Sequence, residues 1–153
     1  MSETGSYRSI VEWDYPVPRE LVFEAWVAPD HVTEWFAPPG FTITKCELDP
    51  RTDSTWHIEY EDPNEHAYSE RGTYRAVDAP SLLSFTLTQV DGAFVGPETL
   101  IEVTLEGTDG GTHMRFEQSG FPSPQLRDVN EEGWRECFDK LAATLARMSS
   151  AAD

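Results

Sequence analysis

Basic residues are scarce in this chain of 153 residues. Eleven Lys and Arg stand against 28 Asp and Glu, giving a net charge of -17 at pH 7 and a pI near 4.4. Only Lys45 and Lys140 are lysines. Binding to a nucleic-acid backbone needs clustered Lys and Arg, so no nucleic-acid partner is expected. The same deficit disfavours docking on an anionic membrane. No apolar run approaches the ~20 residues that span a bilayer. Met1 to Ser6 is polar and lacks a basic-then-apolar leader pattern, so a cytoplasmic location is the default expectation. Cys46 and Cys137 are the only cysteines; they form no CxxC and no disulfide framework. GxSxG, HExxH, the P-loop and GxGxxG are all missing, so neither a cofactor nor a metal is expected. An acid-rich, Lys-poor surface suits a high-salt cytoplasm, where screening removes self-repulsion. An ordinary soluble protein from a GC-rich genome is the plainer source of the same composition.

What the chain does have is apolar bulk. Hydrophobic residues make up 39% and aromatics 12%, enough for a core and too much for disorder. The length fits one domain over 1–153, with an ordered core over about 7–148. Period-two alternation predicts a strand over Tyr7 to Tyr15, with Tyr7, Ser9, Val11, Trp13 and Tyr15 on one face. Pro16 and Pro18 end it. Val22, Phe23 and Trp26 then form a helical stripe over Arg19 to Val27. Pro29 breaks that helix, and Asp30 is the expected cap of a second one running to Trp35 or Phe36.

Further strands are expected over Phe41 to Asp49, Thr55 to Tyr60, Tyr68 to Val77, Leu82 to Gln89, Thr99 to Glu106 and Thr112 to Gln118. Phe41 and Ile43 have one parity and Cys46 and Leu48 the other, which calls for a bulge between them. A long helix is expected from about Pro124 to Met148, capped by Ser123. Trp134, Phe138, Leu141, Leu145 and Met148 put one apolar stripe along it. Strands joined by hairpins, with helices on one face, make an α+β fold. A twisted sheet wrapping one helix leaves space near the helix's N-terminal half.

Four segments carry a family likeness. They are Pro18 to Trp35; Asp49-Pro-Arg51 leading to Trp56; Gly72-Thr-Tyr74 followed by Ala79-Pro80 and Leu82 to Thr86; and Gly111-Thr112, Gly120-Phe-Pro122 and Gly133-Trp134. In this order and spacing the chain resembles the START-like, helix-grip superfamily. Within it, it is most similar to homologues of the activator of heat-shock-protein-90 ATPase. The resemblance implies a curved antiparallel sheet of six to seven strands around one long C-terminal helix, with two short helices after the first strand. It also implies a cavity between sheet and helix. Two positions depart from the family pattern: Asp53-Ser54 replace a usual pair of glycines, and Gln118 stands where relatives often have histidine. The resemblance implies that the eukaryotic activators use an additional N-terminal domain for much of their chaperone binding, and 153 residues are not expected to leave room for it. A chaperone partner is therefore not expected, though it stays open.

The cavity of that fold would be lined by Trp35, Trp56, Ile58, Tyr60, Tyr74, Phe85, Leu87, Ile101, Met114, Phe116, Gln118, Trp134 and Phe138. Gln118 is an inward amide that must find partners, either a ligand or the helix backbone. His57 with Glu59, and His113 with Arg115 and Glu117, fall on the solvent face. No inward His, Asp or Glu stands out as an acid or base, so no catalytic residue is assigned. The expected function is binding of a small hydrophobic or aromatic molecule. Alternatives are an enzyme of the same fold, cyclase-, dehydratase- or hydrolase-like, and a chaperone-interacting module. Exposed sheet edges leave room for a homodimer.

Overall fold

The computed structural model describes residues 7–152. Its strands are β1 (Tyr7–Tyr15), β2 (Thr42–Leu48), β3 (Thr55–Glu61), β4 (Ala67–Asp78), β5 (Leu82–Asp91), β6 (Phe94–Val95), β7 (Thr99–Thr108) and β8 (Gly111–Phe121). Its helices are α1 (Arg19–Val27), α2 (Pro29–Trp35) and α3 (Pro124–Ala152). The strands form one antiparallel sheet in the order β1-β8-β7-β5-β4-β3-β2, with the two-residue β6 paired to β5. The result is the helix-grip α+β arrangement, with one strand more than expected. β6 lies in a loop whose Gly92 and Gly96 hide any alternation; its pairing with Val90 and Asp91 is visible only in space.

Local sequence explains most element boundaries. Ser123 Oγ accepts the backbone N–H of Leu126 at 3.2 Å and so caps α3. Asp30 does not cap α2: that helix begins at Pro29, and no side chain bonds its N-terminus. Proline at the first position needs no N–H partner, which makes a side-chain cap less necessary there. The β2–β3 register shifts between Ile43 and Lys45, where the parity conflict called for a bulge. Asp53 takes a φ of 72°, so a non-glycine residue holds the left-handed turn where the family has glycines. α3 continues four residues past Met148, to Ala152. The expectation for residues 1–6 lies outside the described residues.

Two glycines let side chains and strands approach closely. A Cβ on Gly72 would collide with the Thr86 carbonyl and with the Trp56 indole. Through that gap Trp56 Nε1 crosses β4 and donates to Thr86 O on β5 at 3.0 Å. A Cβ on Gly111 would strike the Tyr15 carbonyl, where β1 meets the start of β8.

The core lies between the inner face of the sheet and α1, α2 and α3. Trp26 is its hub, with ring centroids at 4.7 Å from Trp35, 6.0 Å from Trp134 and 6.1 Å from Phe138. The α3 stripe is buried along its length: Trp134, Phe138, Leu141, Leu145 and Met148 all face inward. Polar ties fix the helix at several points. Tyr15 Oη donates to Phe138 O at 3.0 Å, Lys140 Nζ donates to Ala37 O at 2.7 Å, and Arg147 pairs with Glu34 at 2.6 Å. No described helix is long and apolar enough to cross a membrane.

Candidate functional site

α3 rests on β1, α1 and α2, while its N-terminal half stands off β3, β4 and β5. The gap is a pocket of about 240 Å³. Tyr60 of β3, Glu70 of β4, and Leu87 and Gln89 of β5 form its floor. Phe36 and Pro38, which follow α2, close one side. α3 supplies Val129, Asn130, Gly133, Trp134 and Cys137. A smaller hollow of about 50 Å³ shares Leu87, Gln89 and Asn130 with it and extends toward Phe94 and Gln118. Wider depressions elsewhere are shallow, such as the one on the outer sheet face around Ser84 and Glu102.

Three of the residues expected to line the cavity meet in this pocket: Tyr60, Leu87 and Trp134. Trp56, Ile58, Tyr74 and Phe85 surround a separate void of only about 20 Å³ beside Trp26. Trp35, Ile101, Met114, Phe116 and Phe138 are packed in the core with at most 0% of their surface exposed. Gln118 borders the smaller hollow and has its polar atoms engaged. Its Oε1 accepts the Trp134 indole N–H at 3.0 Å, and its Nε2 donates to Thr99 Oγ1 at 3.0 Å. It bonds the side chain of the helix rather than the helix backbone, because the indole reaches the sheet before the amide reaches α3.

The polar floor of the pocket is the feature that sequence reasoning missed. Glu70 is half-buried and lines the pocket. Tyr60 Oη donates to Glu70 Oε2 at 2.6 Å, and Gln89 Nε2 donates to Tyr60 Oη at 3.1 Å. Burial pushes the Glu70 carboxyl up to about 7, and the Tyr60 hydrogen bond offsets only part of this. Burial and the adjacent Glu70 also raise the Tyr60 phenol well above its usual range. The chain therefore does carry an inward carboxyl, contrary to expectation. A signal for it existed: Glu70 shares the parity of the inward Tyr74, and its register partner is the buried Ile58.

Cys137 contributes little reactivity. Its Sγ lies 3.2 Å from Phe36 O as a donor, and burial pushes the thiol up to about 12, so thiolate is scarce at neutral pH. The outer-face histidines lie beside carboxylates. His113 bridges Asp14 and Glu12 at 2.7 Å each, across β1 rather than along β8, and His57 lies 3.4 Å from Glu59. Asp49 and Arg51 pair at 2.6 Å in the turn before β3.

Gly133 differs from the other glycines of the family segments. Gly72 and Gly111 are required by close backbone approach, and Gly120 by a φ of 105°. A Cβ on Gly133 would meet no atom within 4 Å, although this residue lies inside a 29-residue helix. Glycine in a helix interior costs about 1 kcal/mol relative to alanine. No neighbour calls for it, and the space it leaves open is the pocket.

A curved antiparallel sheet closed over one long helix, with a pocket at the helix's N-terminal half, defines a helix-grip protein. The chain belongs to the family described as Activator of Hsp90 ATPase homolog 1-like protein, whose model matches residues 16–146. Solved structures agree on the fold. The AHSA1 protein of Silicibacter pomeroyi superposes with a TM-score of 0.85 at 21% identity, covering 93% of this chain and 99% of that one. A protein of Chromobacterium violaceum gives 0.83 at 21% identity, with 90% and 96% covered. One from Mesorhizobium loti gives 0.74 at 26% identity, with 92% and 98% covered. A sequence search of curated proteins finds no significant match.

Proposed function

We propose that the protein binds a small molecule with an apolar or aromatic body and one polar end, held in the pocket between α3 and strands β3 to β5. Ligand pockets of this kind combine apolar walls with a few convergent polar groups. Here Phe36, Leu87 and Trp134 are the walls, and Glu70, Tyr60 and Gln89 are the polar set. The observation that carries the reading is Gly133: the helix gives up stability at a wall position where an added Cβ would meet no neighbour.

Gly133→Leu tests it. Calorimetric titration with 1-naphthalenemethanol should show binding to the wild type and at least a roughly tenfold loss in the variant, a change of about 1.4 kcal/mol. Thermal unfolding of the variant should be unchanged or raised. Equal affinity in the two proteins would remove the pocket as the binding site.

Glu70 favours a second reading, an enzyme. A carboxyl pushed up to about 7 can both hold and release a proton at neutral pH, as general acid–base chemistry needs. Native mass spectrometry of protein from its own host would identify a co-purifying compound. Conversion of that compound by the wild type and not by Glu70→Gln would support the enzyme. The chaperone reading rests on the family's description alone; the pocket is what this chain's residues support.

A further inference from the structure

We propose that the polar end of the ligand is a cation, so that the pocket takes a small protonated organic amine carrying an apolar body. This rests on the pocket reading above and adds the chemistry of the ligand. Among the described residues, Glu70 is the only charged one lining the pocket. Among the described residues no Lys, Arg or His pairs with it; its one partner is the Tyr60 hydroxyl. The other groups lining the pocket carry no charge: Tyr60 from β3, Gln89 from β5, Asn130 and Cys137 from α3, and the apolar Phe36 and Pro38 after α2. A half-buried carboxylate without a counter-charge is partly desolvated and unpaired, and a bound cation would offset that cost.

The hydrogen bonds already made also point to a donor ligand. The Gln89 amide donates to Tyr60, Tyr60 donates to Glu70, and Asn130 Nδ2 donates to Leu126 O at 2.9 Å. Glu70 Oε1 and the Gln89 and Asn130 side-chain oxygens remain as acceptors. Trp134 and Phe36 supply the aromatic part of the pocket lining, against which the apolar body of the amine would pack. The net charge of -17 enriches cations and repels carboxylates and phosphates around the whole molecule.

The test compares three ligands of one shape by calorimetry near pH 8 at low salt: 1-naphthylmethylamine, 1-naphthalenemethanol and 1-naphthoate. The amine should bind roughly tenfold or more tightly than the alcohol, with naphthoate weakest. Glu70→Gln, checked for folding by thermal unfolding, should abolish the amine's advantage over the alcohol. Near pH 6.5 the amine should also release protons, because the Glu70 carboxyl, raised by burial, must ionise to pair with it. That release is read as a difference in heat between buffers of different ionisation enthalpy. Equal affinity for amine and alcohol, or an advantage kept in Glu70→Gln, overturns the cation and leaves the pocket standing. Failure of all three compounds to bind overturns both.

Discussion

The middle of α3 and its N-terminal half meet the same sheet in opposite ways. Around Phe138 the interface is solid: Phe116 lies at 5.2 Å, Trp13 at 6.0 Å and Trp26 at 6.1 Å from its ring, and its own surface is 0% exposed. Little more than one turn earlier, around Gly133, the same helix faces a pocket floored by Glu70, Tyr60 and Gln89. The fold does not dictate which end is open. Bulk on the helix decides it: large rings fill the space at one level, while a glycine leaves it open at the other.

The largest test of that contrast is Phe138→Ala. Truncating a fully buried aromatic should lower unfolding stability by about 3–5 kcal/mol in urea titration. A loss below about 1 kcal/mol would mean the middle is not the packed region described here. The pocket end should answer the opposite way to Glu70→Gln. The folded carboxyl is raised from 4.5 to about 7, so between those values the folded state binds more protons than the unfolded one. Stability from this group is present below about pH 4.5, falls as pH rises through 7, and is flat beyond. Glu70→Gln should therefore raise stability by order 1 kcal/mol near pH 8 and add nothing near pH 4. Equal effects at both pH values would contradict a desolvated acid without a counter-charge.

Gly133→Ala should bring a smaller gain. A methyl with no neighbour to strike adds helix propensity, about 0.5–1 kcal/mol, measurable as a higher midpoint of thermal unfolding. A loss would show that the glycine answers a packing need after all. The smallest effect belongs to the outer face, as a control. Asp14, then Glu12, hold the His113 imidazole above its usual range. Its contribution is full below the unfolded value near 6.5 and is lost as pH rises through the folded one. His113→Gln should cost well under about 1 kcal/mol near pH 6, and nothing near pH 9, because such exposed pairs are weak.

Much of this could be read before the fold was seen. Trp56, Ile58 and Tyr60 alternate inward as their parity says, and the α3 stripe is buried from Trp134 to Met148. Even the β2 bulge showed as a conflict of parity. The site was legible only in part. Aromatic residues were expected to line a cavity, yet most of them fill the core, since parity gives a side chain's face and not what lies opposite it. Glu70 does not stand out in the sequence, because a carboxylate at an inward position looks out of place until the pocket is visible. Gln118 was placed inward, but its indole partner comes from 16 residues away.

Alternation and helical spacing, being local properties of the chain, were enough to set seven of the eight described strands and the three described helices. Long-range placement decided the rest. Where α3 lies across the sheet settles which inward residues are sealed and which border a space, and so turns Glu70 from a misplaced charge into the floor of a pocket. Burial shifts its proton affinity, and burial depends on atoms brought close by the whole fold rather than by neighbours along the chain.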